Sequence, residues 1–147
     1  VDAKFVENVH IASVLHDIGK IGVPEAILNK QGPLTPEEFK IIKEHPLIGE
    51  NILKSIDGLD ECISAIKYHH ERFDGSGYPE GLKDGEIPLI ASIICVADAY
   101  DAMVSDRPYR KGLPKEKALA EIVSLAGKQF HPDISAVMQE LYQEGKV

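Results

Sequence analysis

Four histidines and two aspartates in this sequence have side chains of the types that bind first-row transition metals. They are His16, Asp17, His45, His69, His70 and Asp98. Imidazole and carboxylate together suit Fe, Mn, Co, Ni or Zn, whereas a set made only of carboxylates suits Mg or Ca. Because one aspartate has two oxygens and can bind two cations, the set has enough donors for a dinuclear centre. The residue types therefore predict a metal site, provided that the fold brings them together.

Each of these residues also has an ordinary structural interpretation. A single histidine before proline, such as His45, is more often a helix-end residue than a metal ligand. Asp98 is the stronger signal, because a carboxylate in an apolar helix is rarely buried without a cation or a hydrogen-bond network. The sequence contains no G-x-S-x-G elbow, no Walker A loop and no HExxH motif, so no competing chemistry is indicated.

The composition is that of one globular domain. The chain has 147 residues and a net charge of −8, which argues against general binding to DNA or to an anionic membrane. No apolar run approaches the roughly 18 residues of a membrane span. Cys62 and Cys95 lie in apolar stretches without CxxC spacing, so we expect buried thiols in a reducing cytoplasm. Because the chain opens on Val1, we also expect it to be part of a longer protein.

The apolar spacing predicts helices throughout the chain. A first helix begins near Asp2 and ends near Gly19, and a Thr-Pro-Glu-Glu capping box at 35–38 begins a second. His45 precedes a proline, which disfavours the α conformation, so we expect it at the junction of two helices. The next periodic segment, 59–70, places His70 on the buried face of its last turn.

The second half of the sequence contains a long loop followed by more helix. Residues 73–88 are rich in glycine and proline but also include apolar side chains, which predicts an ordered loop and not a linker. An apolar helix over 89–104 contains Asp98, and two amphipathic helices follow over 115–125 and 134–142. The chain is therefore predicted to be an all-α single domain over residues 1–147.

Several strings in this sequence resemble those of the HD-GYP family. They are HDIGK at 16–20, HP at 45–46, HHERFDGSGYP at 69–79 and VADAYDA at 96–102. The resemblance spans residues 7 to about 133. It implies an all-α HD-domain helical bundle of about six to seven helices, with 73–88 as the ordered GYP loop. It also implies a metal-dependent phosphodiesterase that hydrolyses cyclic di-GMP to pGpG and on to GMP.

The same resemblance implies roles for individual residues. Asp17 would bridge two divalent metal ions, with iron or manganese favoured, and the other ligands would divide into two groups: His16 and Asp98 on one metal, and His45, His69 and His70 on the other. A hydroxide bridging the metals would attack the phosphate in line. Lys20 would face the scissile phosphate, so the catalytic pair is Asp17 and Lys20. The alternative for Lys20 is a cation that interacts with a helix C-terminus.

Three further side chains are predicted to bind substrate. Arg107 and Arg110 supply paired guanidinium groups suited to a second phosphate. Tyr78 would stack on guanine or bind phosphate, although a core tyrosine that fixes the loop is an alternative. The resemblance also implies that the GYP loop contacts GGDEF-domain proteins.

The sequence departs from the family pattern before its first motif. Family members normally carry a further helix or two there, with another histidine ligand, whereas only 15 residues precede His16. His10 does not substitute, because it lies seven residues before Asp17, roughly 10 Å along a helix. We therefore expect one weakly held metal, low activity and a tendency to form homodimers. The alternatives are an HD phosphohydrolase for another nucleotide, or a weakly active or inactive module that binds cyclic di-GMP or a GGDEF partner.

Overall fold

The computed structural model describes residues 2–107 and 110–147, and within them the chain is helical. The helices are α1 (Ala3–Leu15), α2 (Glu25–Leu28), α3 (Pro36–Ile42), α4 (His45–Leu53), α5 (Asp60–Tyr68), α6 (Leu89–Val104), α7 (Lys115–Ser124) and α8 (Pro132–Gln143). Seven of these have seven residues or more, and α2 is a single turn. Bridges between residues of the described chain are isolated and form no strand. The prediction of an all-α bundle with a long loop before α6 is confirmed.

Local sequence signals account for the start of α3 and of α4. The Thr35 side chain accepts a hydrogen bond from the Glu38 backbone, and the Glu38 carboxylate accepts one from the Thr35 backbone, which completes the predicted capping box. Helix α3 ends at Ile42 and α4 begins at His45, with the proline in its first turn. The predicted junction at His45 is therefore confirmed.

Two groups of buried apolar side chains share helix α6. The first lies mainly between α1, α4, α5 and α6 and contains Ala12, Leu53, Cys62, Ala65, Ile66, Ile87, Ile90, Ala91 and Ile94. The second lies between α6, α7 and α8 and contains Val96, Tyr100, Ala118, Ile122 and Phe130. Each large apolar side chain buried in this way contributes about 1.5–3 kcal/mol. Helix α6, which carries Asp98, is thus held on both sides.

A glycine contact sets the path of the chain after α1. The sequence pattern predicted that the first helix continues to about Gly19, but α1 ends at Leu15 and a 3-10 helix, Ile18–Gly22, follows. A Cβ at Gly19 would overlap the carbonyl oxygen of His45 and press on the backbone nitrogen of Gly49. Only glycine permits this approach, and it brings the segment after α1 against the start of α4.

Two smaller expectations are also answered by the fold. Both cysteines are free; Cys62 is buried and Cys95 is partly buried. Among the residues that the structure describes, no helix combines the length and the apolar character needed to cross a membrane.

Candidate metal centre

The six predicted ligands lie mostly at helix ends. His16 follows α1, Asp17 precedes the 3-10 helix, His45 begins α4, His69 and His70 follow α5, and Asp98 lies within α6. One ligand atom from each of Asp17, His45, His69 and His70 lies within 4.8 Å of the others. The fold therefore brings together residues that are up to 53 positions apart in the sequence.

Three of the histidine rings are fixed by the same backbone contact. In each, Nδ1 lies at hydrogen-bond distance from the carbonyl oxygen three residues earlier: His16 to Ser13 at 2.7 Å, His45 to Ile42 at 2.7 Å and His69 to Ile66 at 2.6 Å. A carbonyl oxygen only accepts, so Nδ1 must carry the proton and donate. The Nε2 atom of each neutral ring is then left with a free lone pair, which is the arrangement typical of metal-binding histidines.

The Nε2 lone pairs of these histidines point towards one another, and no hydrogen-bond donor of the described residues faces them. His45 Nε2 and His69 Nε2 are 3.4 Å apart, and both side chains are 1% exposed. Two unprotonated nitrogens at this distance repel each other, whereas a cation between them would bind both. His16 Nε2 is also buried and has no hydrogen-bond partner among the described residues. The donor set therefore fits a divalent metal ion.

The two carboxylate oxygens of Asp17 face different histidines. Oδ1 is 3.3 Å from His45 Nε2, and Oδ2 is 3.5 Å from His16 Nε2. Oδ2 also accepts a hydrogen bond from Lys20 Nζ at 2.6 Å. Burial alone would raise the pKa of Asp17, but its contacts with His45 and Lys20 together outweigh that effect and hold the pKa well below its usual range. Asp17 is therefore ionised at neutral pH.

Asp98 is less buried than the sequence pattern predicted. Its side chain is 43% exposed, because this face of α6 borders a groove between α1 and α6 instead of the core. Asp98 Oδ1 is 3.7 Å from His16 Nε2, too far for a hydrogen bond. The interaction with Asp98 raises the pKa of His16 against the effect of burial, and the same interaction lowers the pKa of Asp98.

The position of the histidine pair corrects a second expectation. The spacing predicted a helix that continues to His70 and buries it, but α5 ends at Tyr68 and His69 is the more deeply buried of the pair. His70 instead packs edge-on against His45, with ring centroids 5.0 Å apart. Burial lowers the pKa of His69 to about 4 and that of His70 to about 3. Both rings are therefore neutral at pH 7, the form that binds metals.

The predicted catalytic and substrate-binding residues differ in where they lie. Lys20 contacts the centre through Asp17, and the Tyr78 ring stacks on His70 at 4.8 Å and 20°. Burial raises the pKa of Tyr78, so its hydroxyl is protonated at neutral pH.

Arg107 and Arg110 are both exposed, and their backbones pair through hydrogen bonds of 2.8 and 3.0 Å. The guanidinium of Arg110 donates to the Ala102 carbonyl, one turn after Asp98 in α6. The contacts of the described residues do not join Arg107 to the histidines. The two residues between the arginines, 108 and 109, lie outside the described part of the chain.

One buried acidic residue beside the centre, Glu71, was missed by the sequence analysis. It directly follows the histidine pair and is 2% exposed. Its carboxylate accepts backbone hydrogen bonds from Glu80 at 2.7 Å and from Gly81 and Leu82 at 3.0 Å. These bonds hold the GYP loop against the end of α5. Hydrophobic periodicity cannot reveal an acid that is buried by its own loop, and its only signal was its place beside the histidines.

The GYP loop also packs on the backbone of the histidine pair. A Cβ at Gly77 would overlap the backbone nitrogen of Arg72 and press on the carbonyl oxygen of His70. Only glycine fits at this position, and the close packing brings Tyr78 onto the His70 ring.

Comparison with known proteins places this arrangement in a family. The HD domain family matches residues 1–134. A cyclic di-GMP phosphodiesterase of Thermotoga maritima is 49% identical over 95% of this chain and 39% of its own length. The cyclic di-GMP phosphodiesterase response regulator RpfG of Xanthomonas campestris is 42% identical over 86% of this chain and 34% of its own length. A 3′3′-cGAMP-specific phosphodiesterase of Vibrio cholerae is 38% identical over 88% of this chain and 28% of its own length.

Two solved structures share the fold. An HDG"Y"P protein from Bdellovibrio bacteriovorus superposes with a TM-score of 0.74 at 22% identity, over 97% of this chain and 45% of that one. A cyclic GMP-AMP specific phosphodiesterase of Vibrio cholerae gives a TM-score of 0.72 at 17% identity, over 97% of this chain and 39% of that one. The chain thus spans less than half the length of each relative. Its sequence strings, its helical bundle and its histidine cluster agree, and the chain belongs to the HD domain family, with the predicted HD-GYP resemblance confirmed.

Proposed function

We propose that residues 1–147 form a single HD-GYP phosphodiesterase domain of a longer protein, which hydrolyses cyclic di-GMP to pGpG and further to GMP. The names of the relatives that are 49% and 42% identical support cyclic di-GMP as the substrate. The donor set supports a metal-dependent reaction. We further propose that the centre holds two divalent cations, with iron or manganese as the favoured metal, because its ligands mix imidazole with carboxylate.

The observation that carries this proposal is the orientation of Asp17 between two groups of donors. On the Oδ2 side lie His16 and Asp98, and on the Oδ1 side lies His45, with His69 and His70 next to it. A single cation would need only one of these two groups of ligands. A carboxylate whose two oxygens point to separate groups is suited to bridge two cations.

The residues of the chain would hold and orient the reacting groups. When bound, two divalent cations would supply Lewis acidity that activates water and neutralises phosphate charge. The backbone contacts of the histidine Nδ1 atoms keep the rings from rotating, so their Nε2 atoms stay aimed inward. Lys20, held beside Asp17, would donate to a phosphate oxygen or protonate the leaving 3′ oxygen. Tyr78, with a protonated hydroxyl, would bind phosphate or stack on a base.

A second candidate substrate is 3′3′-cGAMP. Three relatives from Vibrio cholerae, 34–40% identical to this chain, are named as specific for it. A chain with weak or no turnover, which binds a cyclic dinucleotide as a signal, is the remaining alternative.

The partners follow from the resemblance and the charge. We propose contact with GGDEF-domain proteins through the GYP loop, a location in the bacterial cytoplasm and a capacity to form homodimers. Arg107 and Arg110 are proposed to bind the second phosphate, because both side chains are exposed. The net charge of −8 argues against DNA or an anionic membrane as partner.

A turnover assay tests the proposed function. The chain is loaded anaerobically with Fe²⁺ or Mn²⁺ and incubated with cyclic di-GMP or with 3′3′-cGAMP, and the products are separated by chromatography. We expect pGpG from cyclic di-GMP, faster than any product from 3′3′-cGAMP, and no product from the Asp17→Asn variant. Metal uptake without hydrolysis of either compound would contradict the proposed activity and favour the signalling module.

A further inference from the structure

A cavity lies beside the histidine cluster, separate from the groove between α1 and α6. It has a volume of about 270 Å³, and its walls include Phe39, Lys43, His70, Arg72, Tyr78 and Gln129. His70 and Tyr78 belong both to this cavity and to the surroundings of the candidate metal centre. The volume lies below the range of roughly 300–1,000 Å³ for pockets that take a drug-sized ligand. The cavity is therefore suited to one part of a substrate, such as a single base.

The cavity carries two cations without acidic partners. Neither Lys43 nor Arg72 forms a salt bridge with a carboxylate of the described residues. Arg72 Nε is buried and has no acceptor among those residues. The carboxylate of Asp74, two positions further on, is bound by the backbone and hydroxyl of Ser76. A buried donor without a partner is costly, which indicates that an acceptor from outside the described residues belongs here.

Aromatic rings flank one of these cations, Lys43. Lys43 Nζ lies 5.0 Å from the centroid of the Phe39 ring and 5.5 Å from that of Tyr78. Phe39 is 45% exposed, although it is apolar, and Tyr78 is supported from behind by His70. Exposed aromatic faces next to donor groups are typical of sites that stack a nucleic acid base.

We propose that this cavity binds one guanine base of the cyclic dinucleotide, an inference that rests on the proposed function. Guanine presents two neighbouring acceptors, O6 and N7, and the side chains of Arg72 and Lys43 only donate. Adenine presents an amino donor in place of O6, which would meet these cations unfavourably. Because His70 is shared with the metal centre, a base in this cavity keeps its phosphate near the reacting groups. Arg72 and Lys43 thus determine base specificity.

Binding measured without turnover tests this assignment. The chain is held in EDTA and titrated by calorimetry with cyclic di-GMP and with cyclic di-AMP. We expect cyclic di-GMP to bind at least about tenfold more tightly, since each bidentate contact to guanine discriminates by about tenfold or more. Arg72→Gln and Lys43→Gln should each weaken cyclic di-GMP binding by about tenfold and leave cyclic di-AMP unchanged. Lys40→Gln, an exposed residue of the same helix as Phe39, is the matched control and should change neither.

Hydrolysis by the same variants separates this inference from the proposed function. With Mn²⁺ bound, Arg72→Gln and Lys43→Gln should raise KM for cyclic di-GMP and change kcat little, and circular dichroism checks that both fold. Wild-type Kd and KM in both variants would overturn the guanine site while the hydrolysis stands. Selective binding of cyclic di-GMP without any hydrolysis would contradict the proposed function and leave the guanine site in place. Equal affinity of the wild type for both dinucleotides, or no binding of either, would also overturn the guanine site.

Discussion

Two neighbouring groups at the end of α5 are both buried and polar, yet they differ in how their polar atoms are satisfied. The carboxylate of Glu71 accepts three backbone hydrogen bonds, which use both of its oxygens. Within the described part of the chain, the inward nitrogen of His69 has one neighbour at hydrogen-bond distance, the Nε2 atom of His45. A buried polar group satisfied by the chain stabilises the fold, whereas one that faces another lone pair marks a site for something the chain does not supply. Substitution of Glu71 should therefore lower stability and leave metal binding unchanged. Substitutions in the histidine cluster should instead lower metal binding and turnover.

The largest expected effect is on turnover at the histidine cluster. Asp17→Asn should reduce hydrolysis of cyclic di-GMP by more than about 100-fold, because loss of only a supporting contact already lowers metal affinity or activity by about 10- to 100-fold. The free energy of unfolding in EDTA should change by less than about 1 kcal/mol, since the side chain is 38% exposed and its ion pair with Lys20 is at the surface. Chemical denaturation and the chromatographic assay measure the two quantities. Retained turnover would exclude a bridging role for Asp17.

The next largest effect should follow Gly19→Ala, which acts on stability and on the position of His45 together. The added Cβ would overlap the carbonyl oxygen of His45, so the 3-10 helix must move away from α4. We expect a loss of about 3 kcal/mol or more in the free energy of unfolding, together with weaker metal binding. Gly85→Ala is the control, because a Cβ there meets no atom within 4 Å. Equal stability of the two variants would contradict the close contact of the 3-10 helix with α4.

Glu71→Gln should lower stability and leave metal binding unchanged, which is the reverse of the result expected for Asp17→Asn. One oxygen that accepts backbone hydrogen bonds is replaced by an amide NH₂ that faces backbone donors. We expect a loss of about 1.5–3 kcal/mol in the free energy of unfolding, with metal stoichiometry unchanged once the protein is folded. Glu37→Gln, an exposed site on α3, should change stability by less than about 0.5 kcal/mol. If both variants have the stability of the wild type, Glu71 does not anchor the loop.

The smallest expected effect is a loss of stability in acid. The pKa of His69 is about 4 in the folded chain and 6.5 in its ordinary state, so the unfolded chain binds more protons between these values. The contribution of His69 is fully present above about pH 6.5 and is lost as the pH falls towards 4. The difference between the two pKa values limits this contribution to about 3 kcal/mol in EDTA. His69→Gln should flatten this part of the pH profile, while His10→Gln, an exposed control, should not; identical profiles for all three chains would contradict the burial effect.

Motifs and local signals predicted much of the fold. The capping box at Thr35 and the proline after His45 each depend on a few neighbouring residues, so their effects could be read without knowing the rest of the chain. Periodicity was less accurate at the ends of helices. It extended the first helix to Gly19 and the helix of the histidine pair to His70, because it does not register a glycine pressed against another helix or a loop that folds back.

Prediction of the site from the sequence was limited in the same way. Residue types indicated a metal centre, but the degree of burial of Asp98 was overestimated because its face of α6 borders a groove. Glu71, Lys43 and Arg72 were not identified at all. Glu71 is buried by backbone contacts of the GYP loop, and Lys43 and Arg72 line a cavity between this loop and Phe39 of α3. Neither arrangement leaves a periodic pattern in the sequence.

The metal content of the chain tests the central claim most directly. The purified protein is saturated with Mn²⁺, freed of excess metal and analysed for Mn²⁺ per chain, beside the His69→Gln and Glu71→Gln variants. The convergence of unpaired Nε2 atoms predicts at least one tightly held Mn²⁺ in the wild type and in Glu71→Gln, and a clear loss in His69→Gln. No retained Mn²⁺ in the wild type, or equal retention in His69→Gln, would contradict the assignment of this cluster as a metal centre.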